Sequence, residues 1–263
     1  MTTFRRLTVF SFALFFAAAI AHAQSPFDGT WHLNPSQSKL DPKPFTVYLS
    51  QGWYHCVSCT PPYDVQADGQ VHAVAGQTFD TESVTIVDAH TLSFVDQKGG
   101  KTVSEGTVTV SADGKTATIK EKNYPMGGGD PQNSTMNLKR SGVLPAGVHA
   151  ASGNWVATGF NDTAADLTFT YKSNGDEITM TDPTGDSYTA KFDGSDYPFK
   201  GSYGTDAVSL KKIDAHTIEE TDKLNGKVVM VSKMTVAASG KTMTIVNHDP
   251  QRDVTSTFTA TKK

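Results

Sequence analysis

Cys56 and Cys59 are the only cysteines of this 263-residue chain, and two residues separate them in His55-Cys56-Val57-Ser58-Cys59. Three chemistries use such a pair. A structural disulfide closes the small loop in an oxidising compartment. A catalytic dithiol needs a helix N-terminus to lower the first thiol's pKa. Here Thr60-Pro61-Pro62-Tyr63 follows, and successive prolines disfavour a helix running on. Zinc takes four ligands, so two thiolates are half a shell. No second Cys pair exists, and no spacing rule selects His55 or His72 to complete the set. Covalent haem needs His directly after the second Cys, and Thr60 stands there. The expectation is a Cys56–Cys59 disulfide, with no catalytic residue, metal ligand or cofactor assigned.

Other suggestive residues reduce to structure. His90 and His216 sit in a duplicated Asp-Ala-His-Thr, where Asp and Thr hydrogen-bond local backbone in a strand-joining turn. Gly114-Lys115-Thr116 and Gly240-Lys241-Thr242 look like the tail of a phosphate-binding loop. That loop needs Gly five positions before its second Gly, where Thr109 and Thr235 stand. Met230, Met234 and Met243 suggest soft-metal capture, but strand parity puts Met230 and Met234 on one apolar face. Asn133-Ser134-Thr135 and Asn161-Asp162-Thr163 match a glycosylation acceptor, which matters only in a host that glycosylates exported proteins. No G-x-S-x-G or H-E-x-x-H occurs, and nothing in the sequence selects a catalytic pair from the scattered acids.

The elements that must hold these residues come in two copies. Residues 88–119 realign with 214–245 at a shift of 126, and half of the 32 positions are identical. Gly29-Thr30-Trp31 faces Gly153-Asn154-Trp155 upstream. A repeat of this period is a duplicated domain. Both copies alternate apolar and polar residues, as in Leu167-Thr168-Phe169-Thr170-Tyr171-Lys172. Val228, Met230 and Met234 likewise share one parity opposite Lys227 and Lys233. Asp68-Gly69, Gly99-Gly100, Asp113-Gly114, Asn174-Gly175, Asp193-Gly194 and Asn225-Gly226 are hairpin dipeptides. Their spacing predicts eight to ten strands per copy and almost no helix.

The fold class expected is all-β: two tandem, similar antiparallel β-barrel or barrel-like sandwich domains behind a signal peptide. The divisions are 1–23 for the signal, 27–140 for the first repeat, 141–151 for a linker and 152–263 for the second repeat. The proline-containing segment 34–44 reads as a loop after the first strand. Arg5 and Arg6 precede an apolar run over 7–20, and Ala21-His22-Ala23 is a cleavage site. That run falls short of the roughly 20 residues that span a bilayer. Removing the signal takes away two basic residues, so the formal charge of −4 becomes −6. No basic stripe remains, which excludes nucleic acid as the expected partner. The expected location is secreted or periplasmic, without stable membrane insertion.

Gly-x-Trp on a first strand, followed by about 110 residues of hairpin-linked strands, resembles lipocalin-like proteins of the calycin group. The run from Gly29-Thr30-Trp31 to Ser38-Lys39 also resembles uncharacterised secreted bacterial proteins. The lipocalin resemblance implies a barrel with the Trp plugging one end and a basic residue from near the last strand packed across it. Arg140 would then cover Trp31, and Lys262 or Lys263 would cover Trp155. Closed barrels can hold one small ligand, so a small apolar molecule is the expected partner, and strand parity gives Leu167, Phe169, Tyr171, Val228, Met230 and Met234 as candidates for a barrel interior or a packed sandwich face. Two other classes stay open: an envelope redox or metal factor acting through Cys56 and Cys59, and a protein-interaction module without a pocket.

Overall fold

The computed structural model describes residues 25–128, 130–144, 146–162, 164 and 167–263. The signal expected over 1–23 lies outside the described residues. Among the described residues the chain forms twenty strands and one 3-10 turn, Pro35–Gln37. No described helix is long and apolar enough to cross a membrane.

The strands make two antiparallel sheets of ten, and both sheets follow the same order. Each curls into a nearly closed barrel. Bridges such as Asp68 to Thr85 and Ser187 to Lys200 stitch the two edges together. Hairpins drive this order. Asn225 (φ 51°) and Gly226 (φ 76°) are both left-handed. That is the geometry that lets a two-residue turn match the twist of its flanking strands. Gly99 and Gly100 do the same in the first barrel.

The opening strands trade places. Gly29–Leu33 pairs with Thr168–Asn174 and Val254–Lys262, strands of the second repeat. Gly153–Asp162 pairs with Gln132–Ser141 and Phe45–Ser50, strands of the first. The boundaries 27–140 and 152–263 describe the repeat in sequence, whereas each sheet draws on both repeats. We call the barrel holding Phe45–Ser50 the first and the one holding Thr168–Asn174 the second. The segment 34–44 crosses between them and docks on Val254–Lys262, with Lys39 and Thr257 exchanging backbone hydrogen bonds of 2.7 and 2.8 Å.

This exchange corrects the tryptophan pairing. Trp155 is buried in the first barrel, and the Arg140 guanidinium lies 4.0 Å from its ring centroid. Trp31 is buried in the second, with Lys262 Nζ at 4.7 Å. The two plugs are built alike. Trp155 Nε1 donates to Ala151 O at 2.8 Å, and Trp31 Nε1 donates to Phe27 O at 2.7 Å. Arg140 donates to Ala150 O and Ser152 O, as Lys262 donates to Pro26 O and Asp28 O. The expected linker 141–151 is therefore partly strand and partly plug, since Ser141 ends a strand and Ala151 is buried.

A bulge at the same place in each barrel resets the inward parity. The Asp96–Ser104 and Gln97–Thr102 pairs leave Val103 extra, and Val103 and Ser104 are both buried. In the second barrel Asp222–Met230 and Lys223–Val228 leave Val229 extra, and Val229 and Met230 both face the interior. Simple alternation placed Val228 inside; the bulge turns it out of the interior lining. Phe169, Tyr171, Met230 and Met234 do line the second interior, and Leu167 is buried outside that lining.

Candidate functional site

The Sγ atoms of Cys56 and Cys59 are bonded, with the Cα atoms 5.4 Å apart. Cys56 ends the strand Trp53–Cys56 and is fully buried in the core of the first barrel. Cys59 lies just beyond and faces an interior hollow. The two histidines considered as further ligands have other partners. His55 Nδ1 is 2.6 Å from Asp64, and His72 Nε2 is 2.8 Å from Asp68. Among the described residues no group of three or more His, Cys, Asp or Glu side chains is placed to hold a metal ion. His90 and His216 lie in the turns read for them, each backbone N–H donating to the Asp two residues before at 2.7 Å.

The hollow of the first barrel is about 240 Å³. Tyr54, Tyr63, Phe94 and Trp155 supply its aromatic walls, and aliphatic side chains such as Val84 and Val108 fill between them. Gly106 sits opposite Phe94 in the ladder, and a Cβ there would stand 2.7 Å from the ring. The missing side chain lets that ring lie across the strand.

Three carboxyls enter the same space: Glu82, Asp96 and Glu121. Glu82 and Asp96 are direct cross-strand partners and are only 5% and 8% exposed. Ser104 Oγ donates to Asp96 Oδ2 at 2.6 Å. Glu82 Oε2 and Asp96 Oδ1 are buried without any hydrogen-bond partner. No Lys, Arg or His lines the hollow. The physical consequence is proton retention. Burial, and then the charge of Asp96, push Glu82 up to about 8. Burial pushes Asp96 up to about 6 despite the Ser104 bond, and Glu121 is raised mainly by burial. Tyr54 and Tyr63 are held far above the usual phenol range, mainly by burial.

These acids were missed from sequence because acids are common and mostly exposed. Their signal was parity. Glu82 alternates with Val84, and Asp96 with Leu92 and Phe94, so each carboxyl stands in an apolar row.

The second barrel has a wider hollow, about 500 Å³, with Phe169, Tyr171, Met180, Met230 and Met234 beside Glu220 and Asp222. Glu220 accepts from the Tyr188 hydroxyl, and Tyr171 donates to Met234 Sδ at 3.2 Å. Burial and the neighbouring Asp222 raise Glu220, and burial raises Asp222. Both are half-buried, so this pair is more open than its counterpart. Another hollow, along Thr107, Thr109, Thr116 and Lys120, is polar and holds none of these acids.

A scan of the chain against protein-family models finds no match, and a search of curated proteins finds no similar sequence.

Proposed function

We propose that this is an exported, non-enzymatic binding protein of lipocalin-like design, whose first barrel holds a small molecule with an apolar body. The observation that carries this reading is the 240 Å³ hollow walled by Tyr54, Tyr63, Phe94 and Trp155. A close-packed domain interior has few voids larger than a water molecule, and an apolar cavity of about 150 Å³ already admits benzene. Barrels of eight strands already enclose one small ligand, and each of these has ten. Export is supported by the charged, apolar and A-x-A pattern of 1–23 and by the disulfide between Cys56 and Cys59.

Toluene is the simplest probe of the hollow. Saturation-transfer NMR on the full mature chain should detect its binding. Val108→Phe, which places a ring inside the hollow, should abolish that binding with the fold intact. Toluene that receives no saturation from the native protein would remove the reading.

A further inference from the structure

We infer that the ligand of the first barrel is a small organic cation: an aryl-alkyl amine whose ammonium group sits between Glu82 and Asp96, with its ring among Tyr54, Tyr63, Phe94 and Trp155. This deepens the binding reading above and rests on it.

The charge inventory of the hollow points to a cation. It contains three acids and no base. A buried carboxyl with neither a charge partner nor full hydrogen bonding is costly, because the low dielectric disfavours its charge and no donor replaces water. Glu82 Oε2 and Asp96 Oδ1 are two such acceptors, buried without a partner on residues that line the hollow. A neutral apolar guest leaves both unpaired, and an anion is repelled. An ammonium group brings a positive charge and three donors. Directly opposed residues of an antiparallel pair hold their Cβ atoms about 5 Å apart. Glu82 and Asp96 are so placed, and one ammonium can therefore meet both. The aromatic walls add attraction for the same charge.

Size sets the rest of the ligand. A ring fills about 150 Å³ of cavity, and the remainder of 240 Å³ suits a short alkyl-amine tail.

The second barrel contains the same device built from different positions. Asp222 occupies the place of Asp96, but Val208 stands where Glu82 stands. The second acid there is Glu220, at the place of Phe94. Each barrel thus keeps three acids along its interior, Glu82, Asp96 and Glu121 in the first and Asp182, Glu220 and Asp222 in the second, although the partner of the shared Asp comes from different strands.

The test compares 2-phenylethylamine with 2-phenylethanol, its neutral counterpart, by calorimetric titration of the full mature chain. At pH 8 the amine should bind at least about tenfold more tightly, as a charge-assisted contact requires. Glu82→Gln with Asp96→Asn should bring the ratio close to one. Alkylammonium groups stay protonated past pH 8, whereas the carboxyls that face one another here, Glu82, Asp96 and Glu121, take up protons as pH falls. Tyr54, Tyr63 and Ser104, which face them inside, stay neutral throughout, and His72, opposite Glu82 on the other neighbouring strand, bonds Asp68 outside the lining of the hollow. Amine affinity should therefore drop about tenfold or more from pH 8 to pH 5, with alcohol affinity not falling. This arm uses the unaltered protein and decides the matter if the double variant does not fold. Equal binding of amine and alcohol at pH 8 overturns the cation and leaves the binding reading standing. A preference that survives the double substitution places the cation elsewhere and also overturns it. Binding of neither compound, with toluene likewise silent, ends both readings.

Discussion

Glu82 meets Asp96 across two paired strands in a hollow that no basic side chain lines, and His72, its partner on the other neighbouring strand, is taken up by Asp68 at 2.8 Å, so the protonation of Glu82 is tied to folding. Its carboxyl titrates near 8 in the fold, against about 4.5 in the unfolded chain. A raised carboxyl means that the folded state holds the proton longer. Stability is then greatest below about pH 4.5 and falls as pH climbs toward 8. Asp96 adds the same sign over a lower window, from about 3.8 to about 6. Glu82→Gln keeps the size and hydrogen-bonding capacity but removes the proton linkage. Urea melts should show the variant close to the native protein at pH 4.5 and more stable than it at pH 8, by a few kcal/mol at most. A native protein whose stability rises between pH 5 and pH 8, and a variant that tracks it, would show that Glu82 is charged and satisfied in the fold. The cysteine pair acts on a smaller scale. The loop it closes is very short, so its entropic contribution lies below the roughly 3 kcal/mol of a 15-residue loop. Its position is more telling: Cys56 anchors the core and Cys59 borders the hollow.

At the scale of strands, most of the fold was legible. Hairpin dipeptides located turns such as Asn225-Gly226, and alternation separated Phe169 and Tyr171 from Thr168 and Thr170. Two features were not legible, for physical reasons. A bulge adds one residue without any compositional mark. The parity of Val228 could therefore not be carried through Val229. The exchange of opening strands is hidden by the repeat itself. Gly29-Thr30-Trp31 and Gly153-Asn154-Trp155 offer equivalent pairing edges, so local preference cannot say which barrel each one closes. Arg140 and Lys262 could each cover either indole, and the register decides. The site was the least legible part, because an acid in an apolar row is a weak signal until the row is known to line a hollow. The exchange has a measurable consequence. Each Trp is buried core, and truncating such a side chain costs about 3–5 kcal/mol. Trp31→Ala should loosen amides of the second barrel, such as those of Thr242–Asp249, and spare Thr116–Asn123. Trp155→Ala should do the reverse. Hydrogen exchange read by mass spectrometry distinguishes this from the contiguous arrangement, in which Trp31→Ala would loosen Thr116–Asn123.

Over the whole molecule the exchange changes what holds the two barrels together. Two tandem barrels with contiguous strands would share one tether, near 141–151. Here the chain passes from the second barrel to the first through 34–44, and returns after Gly153–Asp162. The segment between Ser141 and Gly153 stays within the first barrel. Contacts across the crossings reinforce this: Asp41 accepts from the Thr255 N–H at 2.6 Å, and the Phe160 and Phe258 rings meet edge-on at 5.9 Å. Val143 is 95% exposed, so a protease site inserted after it should be cut without unfolding either barrel. The cut chain would consist of two pieces, each with one strand locked in the other's sheet. Separation would expose the edges left by Gly29–Leu33 and Gly153–Asp162, along with the sockets of Trp31 and Trp155. The nicked protein should therefore elute from size exclusion as a single species of the intact size in native buffer. It should resolve into two peaks only in strong denaturant. Halves that part in native buffer would mean that each opening strand sits in its own repeat, and the exchanged topology would be wrong.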